Sequence, residues 1–523
     1  MTKRTSGIIM PIFSFPSSDA IGTLTDAQRY LGYIKEAGLS RIHILPTNPT
    51  IEHDSPFQGP SLLYGNPNLI NIEKLFTIGD LSQKDFFSYL SKSYEISYKE
   101  KSINYGFLWN EKIGFGEDTS GFENGPLRKA YQGLIKNGGK RLDEFNEFKA
   151  KEGRDLEDYS DFMTLKQKLG FSLQWSSWPE KFRLRKNGYS EELPKEEKEF
   201  YKYVQFVFND QLKSLSNSAK ENELTLSGIM PLYPCFDCAD VWANKDLFLL
   251  DASGFPVKVA CVPPDFFEPV KGQLWGNPLW KYGKLSSNNK EKVYEAFANR
   301  LERLLENLDI IEIDHYRGLT AFGAVDFGAS DARDGKWIQG PGNELFHYLE
   351  ERLGKSRLPF EAEDLGLITP KVHRDRIKMG YPGMKVFQIA NINDKTDIHH
   401  PEHNEPNSVY YLGTHNNTTL KDFLFGKKDN LESGSQQDYI NYLEANSSEE
   451  GYNWKAIDVA LSTKSNTTLL TISDIRNYGN EKRFNRPGSV GWWKVNLSEN
   501  EMEKFKYEDA PILKELIEQH KRI

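Results

Sequence analysis

Short apolar runs that end in a polar or turn residue recur along the chain, and they predict its main strands. Runs of four to eight apolar residues, rich in β-branched and aromatic side chains, are typical of buried strands. Eight such runs are present: Ile8–Phe13, Arg41–Pro46, Thr225–Pro231, Ile310–Asp314, Pro359–Asp364, Met384–Gln388, Ser408–Gly413 and Leu469–Asp474.

Segments with a helical pattern lie between several of these runs. The clearest are Thr25–Ala37, which Gly38 follows as a stop signal, and Lys290–Asn307, where charged and apolar residues alternate with the helical period. Buried strands that alternate with helices indicate parallel βαβ units, and eight of them indicate a closed barrel. We therefore expect an α/β fold, a (βα)₈ TIM barrel that occupies residues 1–523 as one catalytic domain.

Two long intervals interrupt the series of strands. Residues from about 47 to about 224 begin with a Gly/Pro-rich stretch and continue with helical, Lys/Glu-rich sequence, which predicts a mostly helical subdomain. Residues from about 232 to about 286 contain Trp242, Trp275 and Trp280, which suggests a wall of a substrate groove. In a barrel both insertions leave the C-terminal ends of strands, the rim where active sites are assembled.

Composition narrows the class of partner. Hydrophobic residues make up 38% of the chain and charged residues 27%, which is typical of a soluble globular protein. The formal net charge of -9 offers no basic field for nucleic acid or for an anionic membrane, and no stretch approaches the length of a membrane-spanning segment. Three cysteines and no secretory leader favour the cytoplasm. The oligomeric state is not indicated.

Two short motifs could bind a metal, but their context argues against it. Cys235 and Cys238 form a CxxC pair, yet no second Cys or His pair follows at zinc-finger spacing. The residues 399–403, His-His-Pro-Glu-His, lie in a polar loop that we expect to be solvated. We expect neither a metal nor another cofactor.

Polar groups follow three of the predicted strands. Asp314 ends the fourth strand, Glu363 lies at the end of the fifth, and His415 and Asn416 come after the seventh. Each could instead cap a helix or stabilise a turn. Together on one rim, an Asp and a Glu are the minimal machinery for cleaving a glycoside, with one as nucleophile and one as proton donor.

An ordered series of motifs resembles the amylomaltases, or 4-α-glucanotransferases, of the α-amylase superfamily, over nearly the whole chain. The series comprises SPFQGPSLLYGNPNLINIE from Ser55, DLEDYSDFMTLKQKLG from Asp155, the long block that begins CADVWANKDLF at Cys238, IDHYRG from Ile313, KWIQGPGNELF from Lys336, EAEDLGLITPKVHRDRIKMGYPGMKVFQ from Glu361 and RFNRPGSVGWW from Arg483.

The resemblance implies a role for each matching residue, on maltooligosaccharides or other α-1,4-glucans as substrates. Asp314 looks like the nucleophile and Glu363 like the general acid/base, while Asn416 stands where the family has a third catalytic carboxylate. The remaining positions look like substrate contacts or residues that orient the site, although core packing is an equal alternative for the two aromatic residues: Phe57, Asp237, Trp275, His315 and His415.

Two positions depart from the family where its chemistry needs particular charges. Glu312 replaces an arginine two residues before the nucleophile, where it should share a strand face with Asp314 and repel it. Arg317 is close enough in sequence to compensate in part. Asn416 replaces an aspartate, so the hydroxyls of the reacting sugar lose a charged ligand. Restoring Arg at 312 and Asp at 416 is expected to raise activity. A further change is Ile229, where the family usually has Asp.

These departures leave three hypotheses. The first is a working 4-α-glucanotransferase, weakened or altered in specificity. The second is a catalytically silent protein that binds α-glucan, and the third is a barrel glycosidase that acts on another substrate. Retention of both Asp314 and Glu363 favours the first, because a binding protein has no physical need for that pair.

Overall fold

The computed structural model describes residues 4–50, 54–99, 103–114, 125–265, 268–285, 290–426 and 435–522. Eight parallel strands close into a barrel, so the predicted (βα)₈ fold is confirmed. In chain order the barrel strands are β1 (Thr5–Ile9), β2 (Arg41–Ile44), β3 (Thr225–Met230), β6 (Ile310–Ile313), β9 (Phe360–Ala362), β10 (Gly383–Val386), β11 (Ser408–Tyr411) and β12 (Thr467–Thr471).

Seven of the eight predicted runs contain or overlap these strands closely, and the first is displaced. The strand β1 starts at Thr5 and ends at Ile9, whereas the apolar run Ile8–Phe13 had predicted a later strand. Residues Ile12–Ser14 form a short 3₁₀ turn after Pro11. Proline has no N–H to donate to a strand ladder, which explains why the strand ends before it although the apolar residues continue.

Nineteen α-helices are present within the described residues. The two clearest sequence predictions agree closely with α1 and α10. In chain order the helices α1 to α19 are Leu24–Glu36, Ile72–Thr77, Gln83–Lys99, Tyr105–Trp109, Pro126–Asn137, Gly139–Leu169, Glu180–Arg183, Lys195–Glu221, Ala239–Ala243, Lys290–Leu305, Arg317–Thr320, Asn343–Arg352, Pro370–Met379, Leu420–Phe425, Gln436–Asn446, Tyr452–Ser462, Ile472–Ile475, Glu499–Lys504 and Ala510–Gln519. In the described parts of the chain, no helix is both long and apolar enough to cross a membrane.

The chain between β2 and β3 carries the helices α2 to α8. The two longest of them, α6 and α8, pack along each other, and α8 also lies against α1 of the barrel. Buried aromatic side chains fill this layer, including Phe145, Tyr203 and Phe206, whose rings contact one another. The interior of the helical layer is therefore continuous with the hydrophobic core of the barrel.

A second, four-stranded antiparallel sheet lies outside the barrel. Its order is β5 (Gln273–Pro278), β4 (Lys258–Val262), β7 (Ala321–Asp326) and β8 (Lys336–Gln339). The first two strands precede β6 in the chain and the other two follow it. The sequence pattern had not predicted this sheet, because its central pairing joins segments that are distant along the chain.

The tryptophans of the second interval occupy different environments. Trp242 and Trp280 are buried, and their indole N–H groups donate to the carbonyls of Phe182 and Leu232. Trp275 on β5 stays half-buried. Of these three side chains, only Trp275 is therefore exposed enough to meet a substrate.

Candidate active site

Asp314 and Glu363 lie at the C-terminal ends of two adjacent barrel strands, β6 and β9. The amide N–H of Glu363 donates to the carbonyl of Ile313 at 3.0 Å, which holds the two strand ends together. The Glu363 carboxylate accepts two further backbone hydrogen bonds, from the N–H of His315 at 2.8 Å and from the N–H of Leu365 at 3.0 Å. The backbone thus fixes the carboxyl of Glu363 beside the residue that follows Asp314.

The surroundings of these two carboxyls give them different pKa values. Burial raises the pKa of Asp314 to about 6, while a backbone hydrogen bond at His315 and the positive charge of Arg300 oppose that rise. Burial also raises the pKa of Glu363, well above its ordinary value, and the negative charge of Asp314 raises it further. Of the two carboxyls, Glu363 therefore holds its proton more tightly and Asp314 ionises first, which is the order that a retaining glycosidase needs.

His315, which follows Asp314 and contacts Trp275, has a strained backbone conformation. Its φ of +51° lies in the left-handed region, which is uncommon for a residue with a side chain. Its ring meets the indole of Trp275 edge-on, with ring centroids 4.6 Å apart. Burial lowers the pKa of His315 to about 3, so the imidazole is neutral. Its buried Nε2 has no hydrogen-bond partner in the described part of the chain and is available to a ligand hydroxyl.

A second aromatic group surrounds His415 after β11. The ring of Phe57 stacks on His415 with centroids 5.5 Å apart, and Trp493 lies 5.7 Å from Phe57 and 5.9 Å from His415. Burial lowers the pKa of His415 to about 4, so it too is neutral. The structure therefore brings together Phe57 and His415, which are far apart in the sequence, and adds Trp493 to them.

Asn416 is held by the segment that follows β12. Its side-chain oxygen accepts a 2.7 Å hydrogen bond from Nδ2 of Asn485, and its carbonyl accepts a 2.9 Å bond from Arg483. The Asn416 amide N–H donates to Oγ1 of Thr414 at 3.2 Å. Arg483, Asn485 and Trp493 all belong to the RFNRPGSVGWW block, so that motif was the signal that could have placed them at the site.

Asp237 contacts the helical insertion. It forms an ion pair with Lys166 of α6 and accepts a 3.0 Å hydrogen bond from the amide N–H of Trp175. Lys166 is completely buried. Among the described contacts, none joins Asp237 to Asp314, Glu363, His315 or His415, so the observed geometry is that of an anchor for the insertion.

Glu312 points into the barrel one layer below Asp314. Its carboxylate accepts a 2.8 Å hydrogen bond from the hydroxyl of Tyr411, and burial is the main cause that raises its pKa to about 8. Burial thus favours the uncharged form of Glu312, and that form does not repel Asp314 in the way that its sequence position had suggested. Arg317 does not compensate: it donates to the carbonyl of Leu367 and stacks on the ring of Trp337, 3.4 Å from its centroid.

The cation that does act on Asp314 is Arg300, which sequence reasoning missed. Arg300 lies on α10 and is buried, and its positive charge favours the ionised forms of Asp240 and Asp314. Its Nε and Nη1 atoms have no hydrogen-bond partners in the described part of the chain. No local signal marks it, because it is one of many charged residues on an amphipathic helix.

The two motifs considered for metal binding have other surroundings. The expectation of a solvated loop at 399–403 was wrong for His400, which is fully buried and packs on Tyr442 with ring centroids 5.3 Å apart. Cys238 is buried at the N-cap of α9, where its sulfur accepts a hydrogen bond from the N–H of Val241. Among the described residues, no group of three or more His, Cys, Asp or Glu side chains could hold a metal ion.

Known proteins are similar to this chain in sequence and in fold. Residues 10–501 match the family described as 4-alpha-glucanotransferase. A 4-alpha-glucanotransferase from Clostridium butyricum is 35% identical over 94% of this chain and 97% of its own, and one from Aquifex aeolicus is 32% identical over 96% and 97%.

A solved structure agrees with these relatives. The amylomaltase from Streptococcus agalactiae in complex with acarbose is 27% identical, with a TM-score of 0.87 over 99% of this chain and 100% of its own. Family, relatives and fold all coincide over nearly the full length of the protein. The chain therefore belongs to the 4-α-glucanotransferase family.

Proposed function

We propose that this protein is a 4-α-glucanotransferase that moves segments of α-1,4-glucans between maltooligosaccharides by a retaining, double-displacement mechanism. The observation that carries the proposal is the pair Asp314 and Glu363 at the ends of adjacent barrel strands, where burial and the charge of Asp314 raise the pKa of Glu363. A protein that only binds glucan has no use for a carboxyl pair whose proton affinities differ in this way.

In the first step the Asp314 carboxylate attacks the anomeric carbon of the donor sugar. The bond from that carbon to the 4-oxygen of the leaving chain breaks, and Glu363 gives its proton to that oxygen. The product is a glycosyl ester of Asp314 and a shortened glucan with a free 4-hydroxyl. Retaining enzymes need about 5 Å between their two carboxyl groups, a separation that neighbouring strand ends can supply.

In the second step Glu363, now a carboxylate, removes the proton from the 4-hydroxyl of an acceptor glucan. The acceptor oxygen attacks the anomeric carbon, a new α-1,4 bond forms, and Asp314 leaves as a carboxylate. Water competes for the same intermediate. A bound acceptor has a large advantage in effective concentration, so aromatic side chains that hold a sugar near the pair favour transfer over hydrolysis.

The two aromatic groups are suited to sugars on both sides of the reacting centre. Trp275 with His315 forms one group, and Phe57 with His415 and Trp493 forms the other. Aromatic faces pack against the C–H faces of glucose, and neutral imidazoles can both donate to and accept from hydroxyls. Asn416 offers the same hydroxyls an uncharged amide. We further propose that the enzyme works in the cytoplasm.

Disproportionation of maltotriose tests this function directly. The protein should convert maltotriose into glucose and a ladder of longer maltooligosaccharides, and Asp314→Asn should give no ladder although it still binds maltotriose, because only the nucleophilic charge is removed. Asp155→Asn, a change of the same kind in the helical insertion, is the matched control and should retain the ladder. Equal ladders from wild type and Asp314→Asn would refute the assignment, and binding without any products would indicate a silent homologue.

A further inference from the structure

A polar layer crosses the barrel interior beneath the catalytic pair. Arg41 on β2 forms two 2.6 Å hydrogen bonds with the carboxylate of Glu361 on β9, and its Nε donates to Oγ of Ser227 on β3 at 2.6 Å. Ser227 also lies 3.0 Å from Nδ1 of His43. Nε2 of His43 then lies 3.6 Å from the carboxyl of Glu312. All of these side chains are buried.

The layer lies two residues below the proposed catalytic groups. Glu312 on β6 lies two residues before Asp314, and Glu361 on β9 lies two residues before Glu363, so the members of each pair point to the same side. Glu312 and Glu361 are also direct neighbours in the register of these two strands. The negative charge of one carboxylate disfavours ionisation of a carboxyl beside it, unless a cation compensates the second charge.

Among the described residues, Arg41 is the cation that contacts this pair of carboxyls, and its hydrogen bonds go to Glu361. The guanidinium of Arg41 is engaged by both oxygens of Glu361. His43 is neutral, because burial and the charge of Arg41 keep its pKa well below the ordinary value. The other groups that face Glu312 are the hydroxyl of Tyr411, the apolar Ile229 opposite it on β3, and the carboxyls of Asp314 and Glu363 above it.

We propose that Glu312 works as a protonated positioning residue: uncharged, it holds Tyr411 of β11 against β6 and leaves Asp314 without a like charge beneath it. The proposal rests on the function proposed above, in which Asp314 must stay ionised. In this proposal Glu312 supports Asp314 by a different means from the arginine that the family has at this position. That arginine would support the nucleophile with a positive charge, whereas Glu312 supports it by remaining neutral.

The proposal predicts that the fold is less stable when Glu312 loses its proton. Ionisation would place an uncompensated carboxylate among Glu361, Asp314 and Glu363, which should displace Glu312 and loosen the floor of the site. Glu312→Gln is the conservative variant, because its side-chain oxygen can still accept from Tyr411 and it cannot ionise. Glu312→Leu removes that acceptor. Tyr411→Phe removes the hydrogen bond that stabilises the ionised form of Glu312.

Thermal unfolding between pH 5 and pH 9 tests the protonation state without any activity. A carboxyl whose folded pKa exceeds its unfolded value of about 4.5 stabilises the fold at low pH and loses that contribution as the pH rises to about 8. The melting temperature of wild type relative to Glu312→Gln should therefore fall across this range and level off above it. Parallel curves would show that Glu312 is already ionised at neutral pH and would overturn the proposal.

The pH profile of maltotriose transfer tests the positioning role. At pH 7 Glu312→Gln should keep at least about a third of wild-type turnover, and Glu312→Leu should lose about tenfold or more. Above about pH 8 wild type should lose activity more steeply than Glu312→Gln, and Tyr411→Phe should shift that loss to higher pH. Asp155→Asn is the control and should leave the alkaline limb in place, because the half-buried carboxyl of Asp155, with a pKa raised to about 6, lies in the helical insertion.

Failure of the proposed function can be distinguished from failure of the proposal for Glu312. If wild type transfers no sugar at any pH, the proposed function fails, and the unfolding curves still decide the protonation state of Glu312. If wild type is active but Glu312→Gln loses as much activity at pH 7 as Glu312→Leu, Glu312 acts as a carboxylate and the present proposal is wrong.

Discussion

The backbone N–H of His315 donates a 2.8 Å hydrogen bond to the carboxylate of Glu363, so the residue after the proposed nucleophile orients the proposed proton donor. His315 adopts a left-handed backbone conformation, with φ at +51°. Such strain persists only where the surroundings enforce it, and here it directs the N–H toward Glu363 and the imidazole toward Trp275.

Glu363→Gln should separate protonation of the leaving group from the other steps. Turnover of maltotriose should fall by about 10²–10⁴, the usual contribution of a general acid. Glucosyl fluoride carries a leaving group that needs little protonation, so its first-step rate should fall much less. Equal losses on both donors, measured in single-turnover assays, would show that Glu363 is not the acid.

Asn416→Asp should raise activity. The aspartate can still accept the hydrogen bond from Nδ2 of Asn485, and it adds a charge facing the hydroxyls of the reacting sugar. Charged contacts realised in the transition state are worth up to about 10²–10³ in rate. Steady-state kinetics on maltotriose, with Asn416→Ala as the comparison, should show the gain in kcat. A value unchanged from wild type would mean that this side chain does not reach the sugar.

Glu312→Arg should not restore activity, contrary to the expectation from the sequence. The new guanidinium would lie near Arg41, and it would lose the hydrogen bond that Tyr411 donates to Glu312. A second cation buried in this layer should reduce both the melting temperature and the transfer rate. Glu312→Gln, which changes the same residue without adding a charge, is the control. A faster Glu312→Arg enzyme would contradict the charge distribution described for the barrel interior.

Arg300→Met should shift the acidic limb of the pH profile. The pKa of Asp314 is about 6, so activity should be lost as the pH falls through that value and Asp314 becomes protonated. Arg300 lowers this pKa, and its removal should move the limb upward by about half a unit to one unit. Arg300→Lys should keep the limb in place. Arg303→Met, on the same helix but paired with Glu152 and Asp155, is the control and should not move it.

Asp237→Asn distinguishes an anchor from a substrate ligand. Breaking a buried ion pair on one side costs about 3–5 kcal/mol, since Lys166 would be left charged and completely buried. The free energy of unfolding should fall by that order, while KM and kcat of the folded fraction should change little. A rise in KM with no loss of stability would restore the substrate-binding role that the sequence had suggested.

The sequence predicted the features that depend on local patterns. Runs of buried apolar residues marked the barrel strands, and Asp314, Glu363 and His415 could be placed at one rim because each lies at or just after the end of such a run. Interactions between distant segments were not predictable. Arg41 reaches Glu361 across the barrel, and the pairing of β4 with β7 joins segments on either side of β6, so no window of sequence contains either relationship.

The antiparallel sheet also restricts how this protein can be cut or rearranged. Its strands β4 and β5 precede β6 in the chain and β7 and β8 follow it, so the sheet joins two segments that flank β6. A fragment that ends before residue 321 would expose the edge of β4, an open template for aggregation. Residues 258–278 and 321–339 therefore form one structural unit. Removing either segment alone should leave an insoluble chain.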